Sequence, residues 1–339
     1  MNSEIDVTAD GGVVLGPSVI CDGFLFNHPF RVQTHIHDDH MDEFETSKQF
    51  QDILTSEPTR DMLIAEYNAD LQYRTNFFGL EYDRTYPLGE REQIVLRPNN
   101  HMLGSVQTML LRESGPSIGY SGDFQWPMES PIEVERLVVD STYGAPNKVR
   151  EYTQDEANHR LLELITQQIK KGPIALKGFR GTVQRALQVF AGELKVPVIC
   201  SPRMRRDLEV FRNHGCVFDD VISLTDSKCA EVVQSKRYIR LYSKGDGTPS
   251  ERMRKVVLGA YMSNPRDPVT EWPNGNFSVC LSDHADFWGT LEYVRATKAA
   301  FVVTDNTRGH GEELASELRA RLGIQAVPST NRHSSNWGE

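Results

Sequence analysis

Three imidazoles and two carboxylates fall within the six residues His35-Ile36-His37-Asp38-Asp39-His40, the densest group of potential metal ligands in the chain. Imidazole nitrogen and carboxylate oxygen suit zinc or manganese, and neighbouring ligands that face alternate directions can serve two ions. The bland alternative is a solvated polar loop. With ten histidines in 339 residues, an HxHxDH spacing rarely arises by chance, and the metal reading is preferred. The preceding Phe30-Arg31-Val32-Gln33-Thr34 reads as the end of a strand.

One loop cannot close two coordination shells, so further ligands are expected at other strand ends. His101 follows Val95-Leu96-Arg97-Pro98-Asn99-Asn100 and precedes Met102-Leu103-Gly104-Ser105. Asp123 follows Ser117-Ile118-Gly119-Tyr120-Ser121-Gly122, a short strand closed by a glycine that lets the backbone approach a ligand. His310 stands beyond the apolar run Phe301-Val302-Val303. Singly, each reads equally well as a turn residue. Together with His40 they recur just past a strand's end, where site residues of layered α/β proteins gather.

In order and interval, His35-x-His37-x-Asp39-His40, His101 before Gly104-Ser105, and Ser121-Gly122-Asp123 resemble the metallo-β-lactamase fold. Val138-Val139-Asp140-Ser141-Thr142-Tyr143-Gly144, Leu281-Ser282-Asp283-His284-Ala285-Asp286 and Gly309-His310-Gly311-Glu312 are similar to motifs A, B and C of its β-CASP nuclease branch. The segment from Lys177 to Leu187 resembles the strand–glycine–helix part of the β-CASP insert. The likeness runs from Gly23 to Leu322. It departs from the usual pattern at Asp283, at Asp140 (where Glu is frequent) and at Thr307-Arg308-Gly309, where an apolar residue precedes motif C.

The resemblance implies an α/β (α+β) protein. Residues 1–144 and 257–339 would form an αββα metallo-β-lactamase sandwich, and residues 145–256 an inserted, basic, parallel-sheet β-CASP-like cap. It implies two divalent ions, Zn2+ or Mn2+, with His35, His37 and His101 on one, Asp39, His40 and His310 on the other, and Asp123 between them. The implied reaction is hydrolysis of phosphodiesters in DNA or RNA. Two metals would activate water and neutralise the phosphate oxygens, so no Ser or Cys nucleophile is needed. Asp39 belongs to this catalytic set. His284 would protonate or stabilise the leaving oxygen, with Asp140 favouring its charged form. A histidine capping a helix that begins near Ala285 is the alternative for His284. The overall length resembles compact prokaryotic exonucleases that accompany DNA ligases and helicases. An exonuclease of DNA processing or repair is therefore expected, with ligase, helicase or processing-complex partners. RNA processing, a small-molecule metallo-hydrolase and a catalytically dead scaffold are the competing readings. The hydrolase reading gives no account of Asp140 and His284, and the complete ligand set speaks against the scaffold.

A net charge of −10 does not argue against a nucleic-acid enzyme, because the charge is unevenly spread. Residues 146–255 hold 21 Lys and Arg against 13 Asp and Glu, leaving −18 on the remainder. Arg205 and Arg206 lie in one of three basic clusters there, and Lys177 and Arg180 precede a helix where amides can meet phosphate. Any single cluster reads first as a solvated helix face, and only their confinement to the insert points to a phosphate-tracking surface. Five cysteines without CxxC spacing, and no secretory signal at Met1-Asn2-Ser3-Glu4-Ile5, suggest the cytoplasm. No apolar run has the length of a membrane span, and the polar tail 329–339 is expected to fray. His28, His159, His214 and His333 have no motif context.

Apolar runs predict strands at residues 13–15, 94–96, 108–111 and 137–139. Helices are expected over 154–171, 182–194 and 204–214, alternating with strands at 173–176 and 196–199. A final strand–helix pair is expected over 298–304 and 311–322.

Overall fold

Apolar residues alternate along the strands so as to feed two cores. In strand Val106–Arg112, Val106 and Leu110 enter one core while Met109 and Leu111 enter another. Strand Arg136–Ser141 repeats this, with Val138 on one side and Leu137 and Val139 on the other. Strands covered on both faces read as continuous apolar runs, which is why these segments are legible in sequence.

The computed structural model describes residues 4–67, 69–243, 245–247, 249–250, 252–260 and 264–331. His333 and tail residues 332–339 lie outside the described residues. The chain divides into two compact units, Met1–Val149 with His284–Glu339, and Arg150–Asp283.

The first unit holds two mixed sheets. One runs in chain order through Ile5–Val7, Val13–Leu15, Val19–Cys21, Phe30–Val32, Asp52–Ser56 and Phe77–Leu80, antiparallel at first and parallel from Val19–Cys21 onward. The other is ordered Gln325–Pro328, Phe301–Gly309, Arg136–Ser141, Ile118–Tyr120, Val106–Arg112, Glu92–Pro98 and Thr85–Leu88. Its first four strands are parallel and its last four antiparallel. Val13, Val32 and Leu54 of one sheet share a core with Leu96, Leu110 and Val138 of the other, so the sheets pack face to face. Helices Phe287–Thr297 and Gly311–Glu317 cover the far side of the second sheet through Phe287, Leu291 and Leu314. Helix Glu57–Tyr67 packs on Asp52–Ser56 and Phe77–Leu80.

The second unit holds a seven-stranded sheet, ordered Val221–Ser223, Val198–Cys200, Ile239–Tyr242, Ile174–Lys177, Arg254–Gly259, Phe277–Cys280 and Val269–Glu271. All pairs are parallel except the last. Its helices Gln154–Gln168, Thr182–Phe190 and Pro202–Asn213 fall where the sequence places them. The second stops at Phe190, four residues early, ahead of Gly192 in the left-handed region. The sheet reaches beyond residue 256 because Arg254–Gly259 pairs with Ile174–Lys177 and Phe277–Cys280 pairs with it in turn. Residues 145–149 belong to the first unit, where Ala145 is buried and Val149 packs on the helix-covered core.

The expected α/β class therefore holds. All five cysteines are free. Among the described residues no helix is long and apolar enough to cross a membrane.

Candidate metal centre

Three loops that each leave a strand of the first unit, and the end of a fourth strand, carry these histidines and carboxylates. His35 and His37 follow Phe30–Val32, and a single 3-10 turn, Asp38–His40, carries Asp39 and His40. His101 lies on the turn between Glu92–Pro98 and Val106–Arg112. Asp123 leaves Ile118–Tyr120 through Gly122, whose φ of 58° and 2.6 Å Cβ approach to the Val106 carbonyl exclude a larger residue. Asp140 ends Arg136–Ser141.

Ligand-capable atoms of His35, His37, His101 and Asp123 lie within 4.8 Å of one another, as do those of Asp39, His40 and Asp123. Asp123, Asp140 and His284 form a third such group. Asp123 Oδ2 lies at the centre, 3.2 Å from His40 Nε2 and 3.8 Å from Nε2 of each of His35, His101 and His284.

The fit to a cation rests on the imidazoles' two nitrogens. Nε2 of His35 and of His40 is buried without a hydrogen-bond partner, which ordinarily costs about 1–3 kcal/mol. Their Nδ1 atoms are held from behind. His40 Nδ1 lies 2.8 Å from Asp22 Oδ2, and His35 Nδ1 lies 3.0 Å from Thr34 Oγ1, which itself donates to Asp22. Metal-binding imidazoles are characteristically anchored in this way, with the free nitrogen turned inward. Nitrogen and carboxylate donors in this mixture suit zinc or manganese. These buried His and Asp groups can bind metal ions.

Charge points the same way. Burial and the Arg308 guanidinium oppose a proton on His40, but Asp123, Asp39 and Asp22 outweigh them and hold its pKa at about 10. Burial opposes the Asp123 carboxylate, yet His40, His284 and His35 keep it well below its ordinary value. His35 has no such surplus of carboxylates; burial and the neighbouring His40, His37 and His101 depress its pKa well below normal. The pocket thus sets a His35 that resists a proton beside a His40 that the carboxylates hold charged.

Buried side chains fix the loop. Arg31, fully buried, donates to the carbonyls of His40, Asp42 and Gly23 and to Ser47 Oγ. Gln33 donates to the carbonyls of His35 and His40.

His284 Nδ1 lies 3.1 Å from Asp140 Oδ2, while Asp140 Oδ1 accepts from Thr142 N and Oγ1. His284 does not cap the following helix. That helix begins at Phe287, and Asp286 caps it through Gly289 N.

The structure does not bring His310 into any of these groups among the described residues. The strand Phe301–Gly309 runs on until Gly309 pairs with Ser141, and helix Gly311–Glu317 starts at once. His310 is left as the N-cap residue, its Nδ1 3.8 Å from exposed Glu313 and its N–H donated to the Ser141 carbonyl. Arg308 lies against Asp39 instead, donating from Nη2 to the Asp39 carbonyl at 2.6 Å.

Within the second unit, Arg180 pairs with Asp207 at 2.9 Å. Arg205 bonds the Val221 carbonyl and lies near Glu209 and Asp226, whereas Lys177 and Arg206 are exposed. The Gly181 amide is taken by Gln184 Oε1. Of the four expected phosphate contacts, two are thus engaged in holding the fold.

Sequence reasoning passed over Asp22, Thr34 and Arg308. Asp22 and Thr34 each follow an apolar strand, the signal used elsewhere, but neither belongs to a ligand motif. Arg308 offers only a basic residue two places before His310.

No family model matches the chain. It is 27% identical over 129 residues, 37% of this chain and 91% of the relative, to an uncharacterised protein in the lig 3′ region of Acidianus ambivalens. It is 23% identical over 288 residues to a probable DNA ligase of Opitutus terrae, an alignment that spans 79% of this chain and only 27% of that protein. The fold is shared with a crystal structure of a protein of unknown function from Enterococcus faecalis V583, at a TM-score of 0.57 and 14% identity over 91% of this chain and 80% of that one.

Proposed function

We propose that this chain is a metal-dependent nuclease of the β-CASP branch of the metallo-β-lactamase fold, an exonuclease that hydrolyses DNA phosphodiesters. The observation that carries this reading is the His35–His37–His101–Asp123 group, with the His284–Asp140 pair beside it. The likeness to proteins described by reference to DNA ligation favours DNA and a place beside a ligase. His35, His37, His101 and Asp123 would hold a divalent ion, and Asp39, His40 and Asp123 form the carboxylate-rich half beside them. When bound, such an ion lowers the pKa of water and neutralises charge on phosphate oxygens.

The chain's own residues supply the rest. Asp140, fixed by Thr142, holds His284 in one orientation and turns its Nε2 toward Asp123. As the oxygen of hydroxide, the water having given its proton to solvent, bonds to phosphorus and the bond to the leaving oxygen breaks, the proton at His284 Nε2 passes to that oxygen. Lys177 and Arg206 are the exposed candidates for phosphate contact. The second unit, with 21 Lys and Arg against 16 Asp and Glu, favours a polyanion as substrate.

Labelled single-stranded DNA, duplex DNA and RNA incubated with Mn2+, Zn2+ or Mg2+ test this reading. DNA should be shortened from an end, and a chelator should stop the reaction. Cleavage of RNA alone would move the assignment to RNA processing; no cleavage with any metal would remove it.

A further inference from the structure

The carboxylate half of the cluster already contains a cation. Arg308 stands near the end of strand Phe301–Gly309 with its side chain only 11% exposed. Its Nη2 donates to the Asp39 carbonyl at 2.6 Å, its Nε lies 3.8 Å from Asp39 Oδ2, and its Nη1 lies 3.6 Å from Asp305 Oδ2. Asp305 is itself buried, and its Oδ1 accepts from Thr307 N and Oγ1. The guanidinium therefore lies between two carboxylates, hydrogen-bonded to the Asp39 carbonyl. Gly11 leaves room for it, since a Cβ there would meet the guanidinium at 2.5–2.9 Å.

Asp39 thus has a guanidinium beside its carboxylate before any metal binds. A divalent ion held by Asp39, His40 and Asp123 would stand beside a fixed, buried positive charge. Repulsion in such a poorly solvated place is several times stronger than in water. His310, which would have supplied a fourth donor, is turned to Glu313.

We propose that Arg308 is the resident counter-cation of the Asp39–His40–Asp123 half, so that the chain holds one divalent ion tightly and a second only weakly. This rests on the metal reading above. It makes Arg308 a positioning residue for Asp39 and a determinant of metal stoichiometry.

Titration of the metal-free full chain with Mn2+, followed by calorimetry and electron paramagnetic resonance, tests it without recourse to activity. The wild type should bind one equivalent tightly and a second at least about 100-fold more weakly. Arg308→Gln should tighten the second step by about tenfold or more and leave the first unchanged, while Arg308→Lys, which keeps the charge, should alter the second step less. The unchanged first step reports that the variant is folded, and the wild-type isotherm decides the matter even if the variant does not fold. Two equivalents of similar affinity in the wild type, with spin-coupled Mn2+ pairs, would overturn the inference and leave the nuclease reading intact. A second step that Arg308→Gln leaves unmoved would also overturn it. One tight ion without cleavage of any nucleic acid would uphold the inference and end the nuclease reading; no bound ion would end both.

Discussion

The two halves of the cluster share Asp123 but are built on opposite plans. Around His35, His37 and His101 the donors are imidazoles, gathered from two loops, and the His35 pKa is depressed by burial and by its histidine neighbours. Around Asp39 and His40 the donors are mainly carboxylates, and His40 and Arg308 already supply positive charge. An imidazole such as His35, kept from protonation, offers its nitrogen to a metal. A carboxylate site that has found internal cations has less to gain.

Removing an imidazole should expose this difference most strongly. His101→Ala takes one of three imidazole donors from the histidine-rich half and should abolish tight metal binding and with it cleavage. Metal analysis of protein purified without chelator checks this directly. Retention of one tightly held ion would mean that the carboxylate half is the principal site.

The next largest effect falls on His284, whose contact with Asp140 sets it beside both halves. His284→Ala should keep the tight ion but slow DNA cleavage by about 10²–10⁴-fold, the usual worth of a general acid. The loss should shrink on a nitrophenyl phosphodiester, whose leaving group needs no proton. Asp140→Asn should give a milder form of the same pattern, because it disturbs only the orientation and charge of the imidazole. Equal deficits on both substrates, or loss of the metal, would take His284 out of the acid role.

The histidine-rich half was legible in the sequence because its candidate ligands sit at a repeated kind of place, just past an apolar strand. His35, His101 and Asp123 all obey that rule, and short apolar runs made the strands themselves readable. Asp140 and His284 came from the family resemblance, and the structure sets them 3.1 Å apart. The carboxylate half was read less well. Whether a strand ends before or after Gly309 depends on its pairing with Ser141, a contact about 170 positions away that no local pattern reports. That pairing decides whether Arg308 or His310 meets Asp39. The extent of the second unit's sheet depends on pairing in the same way. Arg254–Gly259 and Phe277–Cys280 are ordinary short strands, and only their partners assign them to that sheet.

A smaller effect is expected behind the ligands. Asp22 accepts from Thr34 N and Oγ1 and lies against His40 Nδ1, so it braces one imidazole of each half. Asp22→Asn should weaken metal affinity by about 10–100-fold, as is usual for the partners of metal-binding histidines. Competition with a fluorescent chelator measures it. Unchanged affinity would leave Asp22 only the task of holding the loop.

The smallest effect separates the resemblance from the geometry. The family pattern makes His310 a ligand of the second ion, which predicts that His310→Ala loses metal. In the structure its imidazole is a third exposed, makes no capping hydrogen bond and has Glu313 at 3.8 Å as its ion-pair partner. Such surface pairs contribute about 0–1 kcal/mol. The backbone N–H that His310 donates to Ser141 survives the substitution. His310→Ala should therefore leave the Mn2+ stoichiometry and the affinity of the tight site unchanged, and shift stability by no more than about 0.5 kcal/mol. Isotherms of wild type and variant, with a thermal melt, are sufficient. If the weak second step disappears in the variant, then His310 must swing toward Asp39 when the second ion arrives, displacing Arg308. The carboxylate half would then be a site that metal itself completes.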